Sequence, residues 1–198
     1  SRLSYSTYLG YRDTDSATSM AIGNSGILYL GGYTRSIGFP VSGGTYDQTF
    51  GGTIEGFIIR LDPDGRVSFK STLIGGGLDD RLNCLSIAPD GDLIVGGDTS
   101  SNDPWATEGA YQRFNGGDED IFLIKIDREL KDVSYVTYLG TTGNQSLNDI
   151  FIDKMGRVHG VGYTDTIDMP TTWGAWKTEA QKSESVILGN LTLRAVDP

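Results

Sequence analysis

The sequence predicts an all-β protein built from three copies of one unit, and two observations support this fold class. First, the segment SYSTYLG at residues 4–10 returns as FKSTLIG at residues 69–75 and as SYVTYLG at residues 134–140, at intervals of 65 residues. Second, the 198-residue chain contains 28 Gly and only 6 Pro, and the Gly are spread over many short apolar runs. This use of Gly is typical of strands joined by tight turns.

The three copies share one register across most of the chain. Residues of the same or similar type recur every 65 positions, so the similarity is one of position and not only of composition. We therefore interpret residues 1–198 as a single array with repeats at approximately 1–65, 66–130 and 131–198. The aligned sets include Gly26, Gly91 and Gly156; Thr34, Thr99 and Thr164; Tyr46, Tyr111 and Trp176; and Phe57, Phe122 and Ile187.

Each copy contains four candidate strands. In the first copy these cover residues 3–9, 18–22, 27–33 and 56–61, and the opening run is rich in the Tyr and Thr that strands favour. A turn ending in Gly joins the second strand to the third, where glycine suits a left-handed backbone. Four short strands per copy predict a β-propeller-type array of three four-stranded antiparallel blades with a period of 65 residues. Apolar runs such as residues 57–59 and 122–124 are expected to be buried on both faces, between neighbouring blades.

Six short motifs, at residues 5–10, 31–34, 39–40, 109–111, 169–172 and 174–176, resemble the bacterial β-propeller repeat family called SBBP. The resemblance covers all three copies. It implies a propeller fold and a secreted or surface-exposed bacterial protein. The family has no shared catalytic residues, so the resemblance implies none here. The second copy departs from the pattern at Asp103-Pro104-Trp105, and the third departs after Val186. The matching motifs are YSTYLG at residues 5–10, GGYT at 31–34, FP at 39–40, GAY at 109–111, MPTT at 169–172 and GAW at 174–176.

Three blades in a row leave two apolar faces without a neighbour. Exposing such faces costs about 25 cal/mol for each Å² of apolar surface, so a cover is expected. Two chains could form a six-bladed ring, the chain could be a fragment of a longer propeller, or a different protein could cover the faces. The chain opens with the strand that ends a blade elsewhere. We therefore expect the strand at residues 1–10 to close a blade of the same chain or of a second copy.

Composition argues against several partners. The formal net charge of −10 repels nucleic acid and anionic lipid, and no apolar run is long enough to span a membrane. The single Cys84 excludes an intrachain disulfide. No secretory signal segment opens the chain and residue 1 is not Met, so we expect a mature product or a piece of something longer.

Aromatic residues recur in the loop of about 20 residues between the third and fourth strands, which is longer than most connections. We interpret Tyr46, Tyr111 and Trp176 as wedges that pack this loop against the sheet, because aromatic side chains gain much from burial. A ligand-stacking role is the alternative. Its candidates are Trp105, Tyr111, Trp173 and Trp176.

Carboxylates are the other recurring polar feature. We interpret them as solvated turn acids, because no segment has the spacing of a calcium-binding loop. A Ca²⁺ site is the alternative, and no other cofactor is expected. A carboxylate pair of the glycosidase type would require two of these groups to meet in space. The candidate metal ligands are Asp13, Asp15, Asp79, Asp80, Asp118 and Asp120.

The sequence contains no constellation of catalytic residues that we recognise. The lone His159 lies in mid-strand and Cys84 at a strand start, and one distant pair does not form a nucleophile and its base. We therefore predict a non-catalytic extracellular, cell-surface or periplasmic module for protein–protein interaction or assembly. Its predicted partner is another copy of itself or a further protein. The alternatives are an enzyme acting on extracellular polysaccharide and a carbohydrate-binding propeller.

Overall fold

The computed structural model of the chain describes residues 3, 6–63, 70–102, 105–178, 180 and 184–191. These residues form an all-β fold of three antiparallel sheets, as the sequence predicts at this level. Residues Asn24–Gly26 add one short turn of 3₁₀-helix. The first sheet contains β1 (Asp15–Ile22), β2 (Leu28–Thr34), β3 (Glu55–Leu61) and β4 (Lys70–Ile74); the second contains β5 (Asp80–Ile87), β6 (Leu93–Thr99), β7 (Asp120–Ile126) and β8 (Val133–Leu139); the third contains β9 (Gln145–Ile152), β10 (Val158–Thr164) and β11 (Glu184–Leu191).

Glycine ends the turn between the first two strands of every sheet. Gly26, Gly91 and Gly156 have φ angles of 78°, 89° and 77°. This left-handed conformation strains residues with a Cβ, so the recurrent glycine has a backbone cause. The predicted turns are confirmed in all three copies.

The first strand of each sheet begins three residues earlier than the sequence analysis expected. The reason is a β-bulge at the same place in each copy, where Thr18, Asn83 and Asn148 have no partner in the next strand. The extra residue puts Leu82 and Leu85 on one face, although they are three positions apart. Simple alternation therefore does not extend across the bulge, and the sequence pattern revealed only the second half of the strand.

The second sheet lies between the other two and is buried on both faces. On one side, Leu82 and Val95 pack with Ile58 of the first sheet in a shared core. On the other side, Leu123 packs with Leu147 of the third sheet. Every residue of β6 is buried, which confirms the expectation of strands buried on both faces.

The outermost strand of each four-stranded sheet comes from the next copy of the repeat. Thus β4 and β8, which contain the recurring opening segment, end the first and second sheets. The third sheet has three strands in the part of the chain that the structure describes, and the described sheets do not close into a ring. Residues 6–10 form no strand, and residues 1, 2, 4 and 5 lie outside the described residues, so the closing role of this segment stays a prediction.

The register of β11 corrects the alignment of the third copy. Gly162 pairs with Val186, whereas the equivalent Gly32 and Gly97 pair with Phe57 and Phe122. Val186, and not Ile187, therefore occupies the position of those two Phe residues. The connection before β11 is one residue shorter than its two counterparts, so the third copy departs from the pattern before its last strand.

Candidate functional site

A polar cluster occupies the same edge of every sheet, where the first strand begins. In the first sheet, Thr34 Oγ1 donates a hydrogen bond of 2.5 Å to Asp15 Oδ1, and Ser36 Oγ donates one of 3.2 Å to Asp15 Oδ2. In the first two sheets the recurrent Thr donates to the acid that opens the sheet, whereas in the third Gln145 Nε2 donates to the threonine hydroxyls. The equivalent groups are Asp80 with Thr99 and Ser101 in the second sheet, and Gln145 with Thr164 and Thr166 in the third.

An acid from the preceding sheet lies beside the cluster of the second sheet and of the third: Glu55 near Asp80, and Asp120 near Gln145. Asp120 was among the predicted metal ligands, whereas Glu55 was not. Glu55 is completely buried at the start of β3, and its Oε2 accepts hydrogen bonds from the backbone N of Gly51 (2.9 Å) and Gly52 (3.3 Å). Burial, reinforced by the charge of Asp80 and opposed by these hydrogen bonds, raises the pKa of Glu55 to about 8. Asp120 holds the equivalent position in β7, and burial raises its pKa as well.

The glycine that ends the recurring opening segment makes room for these carboxyl groups. A Cβ on Gly75 would overlap Glu55 Oε1 and Asp80 Oδ2. Glu55 Oε1 has no hydrogen-bond partner among the described atoms, although the residue is buried. A buried carboxylate oxygen without a hydrogen-bond donor is unfavourable, so burial favours the neutral form of the group. The raised pKa of Glu55 favours the protonated form of its carboxyl group over a carboxylate that holds a cation.

The six acidic residues considered as Ca²⁺ ligands do not converge. Asp13 and Asp118 are exposed, whereas Asp79 Oδ1 accepts hydrogen bonds from Thr53 N (3.1 Å) and Oγ1 (2.6 Å). The other three belong to the polar clusters described above and accept hydrogen bonds from the protein itself. Among the described residues, no group of three or more His, Cys, Asp or Glu side chains could hold a metal ion.

The four aromatic residues considered for ligand stacking have different environments. The Trp105 ring packs against Phe122 and Tyr138, with centroid distances of 5.4 and 6.3 Å. Tyr111 is 59% exposed, and Trp173 and Trp176 are fully exposed. Trp105 is therefore a wedge of the kind the sequence analysis assigned to Tyr46, Tyr111 and Trp176, whereas the other three rings face solvent.

Cys84 and His159 have separate environments. Cys84 is buried in the core between the second and third sheets, and burial raises the pKa of its thiol to about 12. The His159 ring contacts Phe151 and the carboxylate of Asp153. The thiol is therefore protonated and inaccessible, which makes it a poor nucleophile.

An ion-pair network within the second sheet was not predicted from the sequence, and a hydrogen bond from Ser146 links it to the third sheet. Arg81 Nη1 lies 3.2 Å from Asp98 Oδ2 and 3.1 Å from Glu119 Oε1. Asp98 Oδ1 in turn accepts hydrogen bonds from Asn83 (2.6 Å) and Ser146 (2.7 Å). Because Asp98 is buried and these partners satisfy both of its oxygens, we interpret the network as structural.

The leading face of a sheet, defined here as the face toward the preceding sheet, is covered by that sheet in two cases. In the first sheet, Phe57 and Ile59 on this face are buried under the sheet's own long loop, and only the side chains of β1 are left uncovered. Leu85 of β5 and Ile150 of β9 pack against the sheet before them and are 6% and 8% exposed. Met20 holds the same position in β1, where no described sheet precedes it, and is 58% exposed. Ile22 beside it is exposed as well.

The trailing face, defined as the face toward the following sheet, is uncovered in the third sheet. Gly31 and Gly96 lie directly beneath leucine side chains of the following sheet. Val161 occupies the equivalent position in β10 and is exposed. Phe151 and Tyr163 flank it on the neighbouring positions of the same face, and Phe151 is 67% exposed. The described array thus ends in two apolar faces.

The recurring opening segment also holds the long loop of its sheet. Thr72 Oγ1 of β4 accepts a hydrogen bond from Asp47 N (2.8 Å) and donates one to Asp47 O (3.0 Å). Thr137 of β8 makes the same two contacts with Gln112. Thr7 is the third threonine in this register, and it is exposed. The segment that contains Thr7 therefore lacks the loop and sheet that its two counterparts hold.

Compared with known proteins, the sequence matches no protein-family model and no curated protein. The resemblance to the SBBP repeat therefore stays a prediction. In the described part of the chain, no helix has the length and apolar character that crossing a membrane requires.

Proposed function

We propose that the chain is a three-bladed section of a β-propeller, and that it serves as a non-catalytic module for assembly or protein–protein interaction. A second copy covers its two uncovered faces. The observation that carries this proposal is the repeated contact between consecutive sheets. Asp80 N donates to Ile54 O (3.0 Å) between the first and second sheets, and Gln145 N donates to Glu119 O (2.7 Å) between the second and third. One mode of stacking is thus used twice, 65 residues apart.

The two uncovered faces are apolar, as are the faces that pack together between consecutive sheets. The trailing face of the third sheet corresponds to the faces that Leu85 and Ile150 cover, and Met20 is their equivalent. A second copy can therefore pack Met20 and Ile22 against Phe151 and Val161. Because each copy offers one leading and one trailing face, two copies make two identical contacts and close a six-bladed ring with twofold symmetry.

The opening segment supports the same arrangement. In a closed ring, residues 6–10 add to the free edge of a third sheet, as β4 and β8 add to the first and second sheets. Thr7 then holds the loop before β11, as Thr72 holds the first loop. Strand addition also gives the exposed backbone of this segment hydrogen-bond partners.

A structural role for the buried acids supports a non-catalytic module. Glu55 and Asp80 are both completely buried, so substrate does not reach them from solvent. The resemblance to the SBBP repeat supports an extracellular or cell-surface location. Polysaccharide hydrolysis and carbohydrate binding are the competing proposals, and exposed Trp173 and Trp176 are the residues that a sugar ligand would use.

Replacing Met20 by Lys tests the proposed assembly. We expect wild-type protein to sediment with twice the mass of one chain, and Met20→Lys to weaken the dimer by about 100-fold, because it buries an unpaired charge in an apolar contact. Met155→Lys is the control, since Met155 is also exposed but lies in a hairpin turn, away from both uncovered faces. Sedimentation at several concentrations measures both effects. A wild-type mass of one chain at every concentration, or equal behaviour of the two variants, would refute the proposal.

A further inference from the structure

Three aromatic residues are presented by the same turn in the three long loops. Gly44, Gly109 and Gly174 precede them by two positions and have φ angles of 75°, 80° and 82°. The turns also share a hydrogen bond in the last two copies, from Ala110 N to Thr107 O (3.1 Å) and from Ala175 N to Thr172 O (3.0 Å). Tyr46, Tyr111 and Trp176 therefore leave the backbone in equivalent positions.

Tyr46 shows what this position does when a complete sheet follows. Its backbone N donates to Leu130 O (2.8 Å), and its hydroxyl accepts a hydrogen bond from Trp105 Nε1 (3.0 Å). Both partners belong to the second sheet and its loops, whereas Tyr46 belongs to the loop of the first. The ring also packs against the core shared by the two sheets. The aromatic residue is thus a wedge between one sheet and the next.

Exposure at this position increases as the following sheet becomes less complete. Tyr46 is half-buried against a four-stranded sheet, and Tyr111 is 59% exposed beside a sheet with three described strands. Trp176 is fully exposed, and no described sheet follows it. Trp173, three residues earlier, is also exposed, but Gly43 and Glu108 occupy its equivalent positions. Trp176, and not Trp173, therefore occupies the position equivalent to Tyr46 and Tyr111.

We infer that Trp176 is the anchor of the contact between two copies, inserted between the third sheet of one copy and the first sheet of the other. This inference rests on the proposed assembly and identifies the residue that dominates its affinity. The position equivalent to Trp105, the partner of Tyr46, is Pro40 in the first sheet. Pro40 is exposed, beside Phe39, whose ring stacks on Phe57 at 4.5 Å. Trp176 packs on Pro40 of the second copy, and buried Trp residues are frequent anchors of protein interfaces.

Two alanine variants test the anchor. Trp176→Ala is expected to weaken the dimer by about 100-fold, and Trp173→Ala by less than about threefold, with both variants folded because the two rings are exposed in one copy. Trp176→Tyr introduces the residue type found at the two equivalent positions and is expected to restore most of the affinity. Sedimentation gives the dissociation constants, and circular dichroism checks the fold.

The outcomes separate the anchor from the assembly itself. If Trp176→Ala dimerises like wild type while Met20→Lys does not, the assembly stands and the anchor is refuted. Equal weakening by both Trp variants also refutes the anchor, because a general loss of exposed aromatic surface then explains the effect. A monomeric wild-type protein overturns both proposals.

Discussion

Replacing Gly97 by Ala is expected to lower the free energy of unfolding by about 3 kcal/mol, although the change adds only one methyl group. A Cβ on Gly97 would overlap the backbone carbonyl oxygen of Arg81 in the neighbouring strand. The β-bulge at Asn83 brings this carbonyl close, because it shifts the register of β5 against β6. The clash is with backbone, so a change of side-chain rotamer does not relieve it.

Urea denaturation of both Gly97→Ala and Gly43→Ala measures this effect. Gly43 is a suitable control because no atom lies within 4 Å of the position that its Cβ would take. We expect the control to change the free energy of unfolding by less than about 0.5 kcal/mol. Wild-type stability in Gly97→Ala would mean that the strands do not approach this closely, and the bulge described here would be wrong.

Replacing Glu55 by Gln is expected to raise stability at pH 9 by about 3 kcal/mol, with little change at pH 5. The pKa of Glu55 is raised from 4.5 to about 8 by folding, so the folded protein binds more protons than the unfolded chain between these values. The contribution of Glu55 to wild-type stability is therefore complete below about pH 4.5, declines as the pH rises toward 8 and is constant above it. Gln removes this dependence because its side chain does not ionise.

Thermal unfolding between pH 5 and pH 9.5 checks this prediction. Glu108→Gln is the matched control, because Glu108 is an exposed acid and its loss is expected to leave the pH profile unchanged. A loss of stability in Glu55→Gln at pH 9 would mean that the ionised carboxylate is required, as a bound cation would demand. The experiment thus distinguishes a protonated Glu55 from a carboxylate that holds a cation.

The sequence pattern predicted the period and the turns because these features depend on local backbone geometry. Gly26, Gly91 and Gly156 recur since each occupies a left-handed position, and such positions select glycine in any context. The apolar runs predicted strands buried on both faces, and β6 and β7 confirm this. Backbone conformation and burial each restrict which residue types occur at a position, so both can be predicted from the sequence.

The polar clusters were less predictable because their members are distant in the chain. Asp15 was considered as a calcium ligand, yet its oxygens accept hydrogen bonds from Thr34 and Ser36 in another strand. Glu55 had no distinguishing neighbour in the sequence, and its pKa is raised by burial together with the charges of Asp80 and Asp47, neither of which is adjacent to it in the chain. A gapless repeat alignment also misplaced β11 by one residue, because strand pairing responds to loop length and the alignment did not.

Some properties of the recurring segment at residues 4–10, 69–75 and 134–140 follow from the sequence, and others follow only from the tertiary structure. By itself, the sequence established that the segment is repeated and carries a threonine and a terminal glycine in each copy, since repetition is visible without coordinates. Only the tertiary structure assigned Thr72 to the long loop and Gly75 to the space beside two buried carboxyl groups. It also separated covered from uncovered faces, because burial at equivalent positions depends on which sheet lies next to them and not on the residue itself.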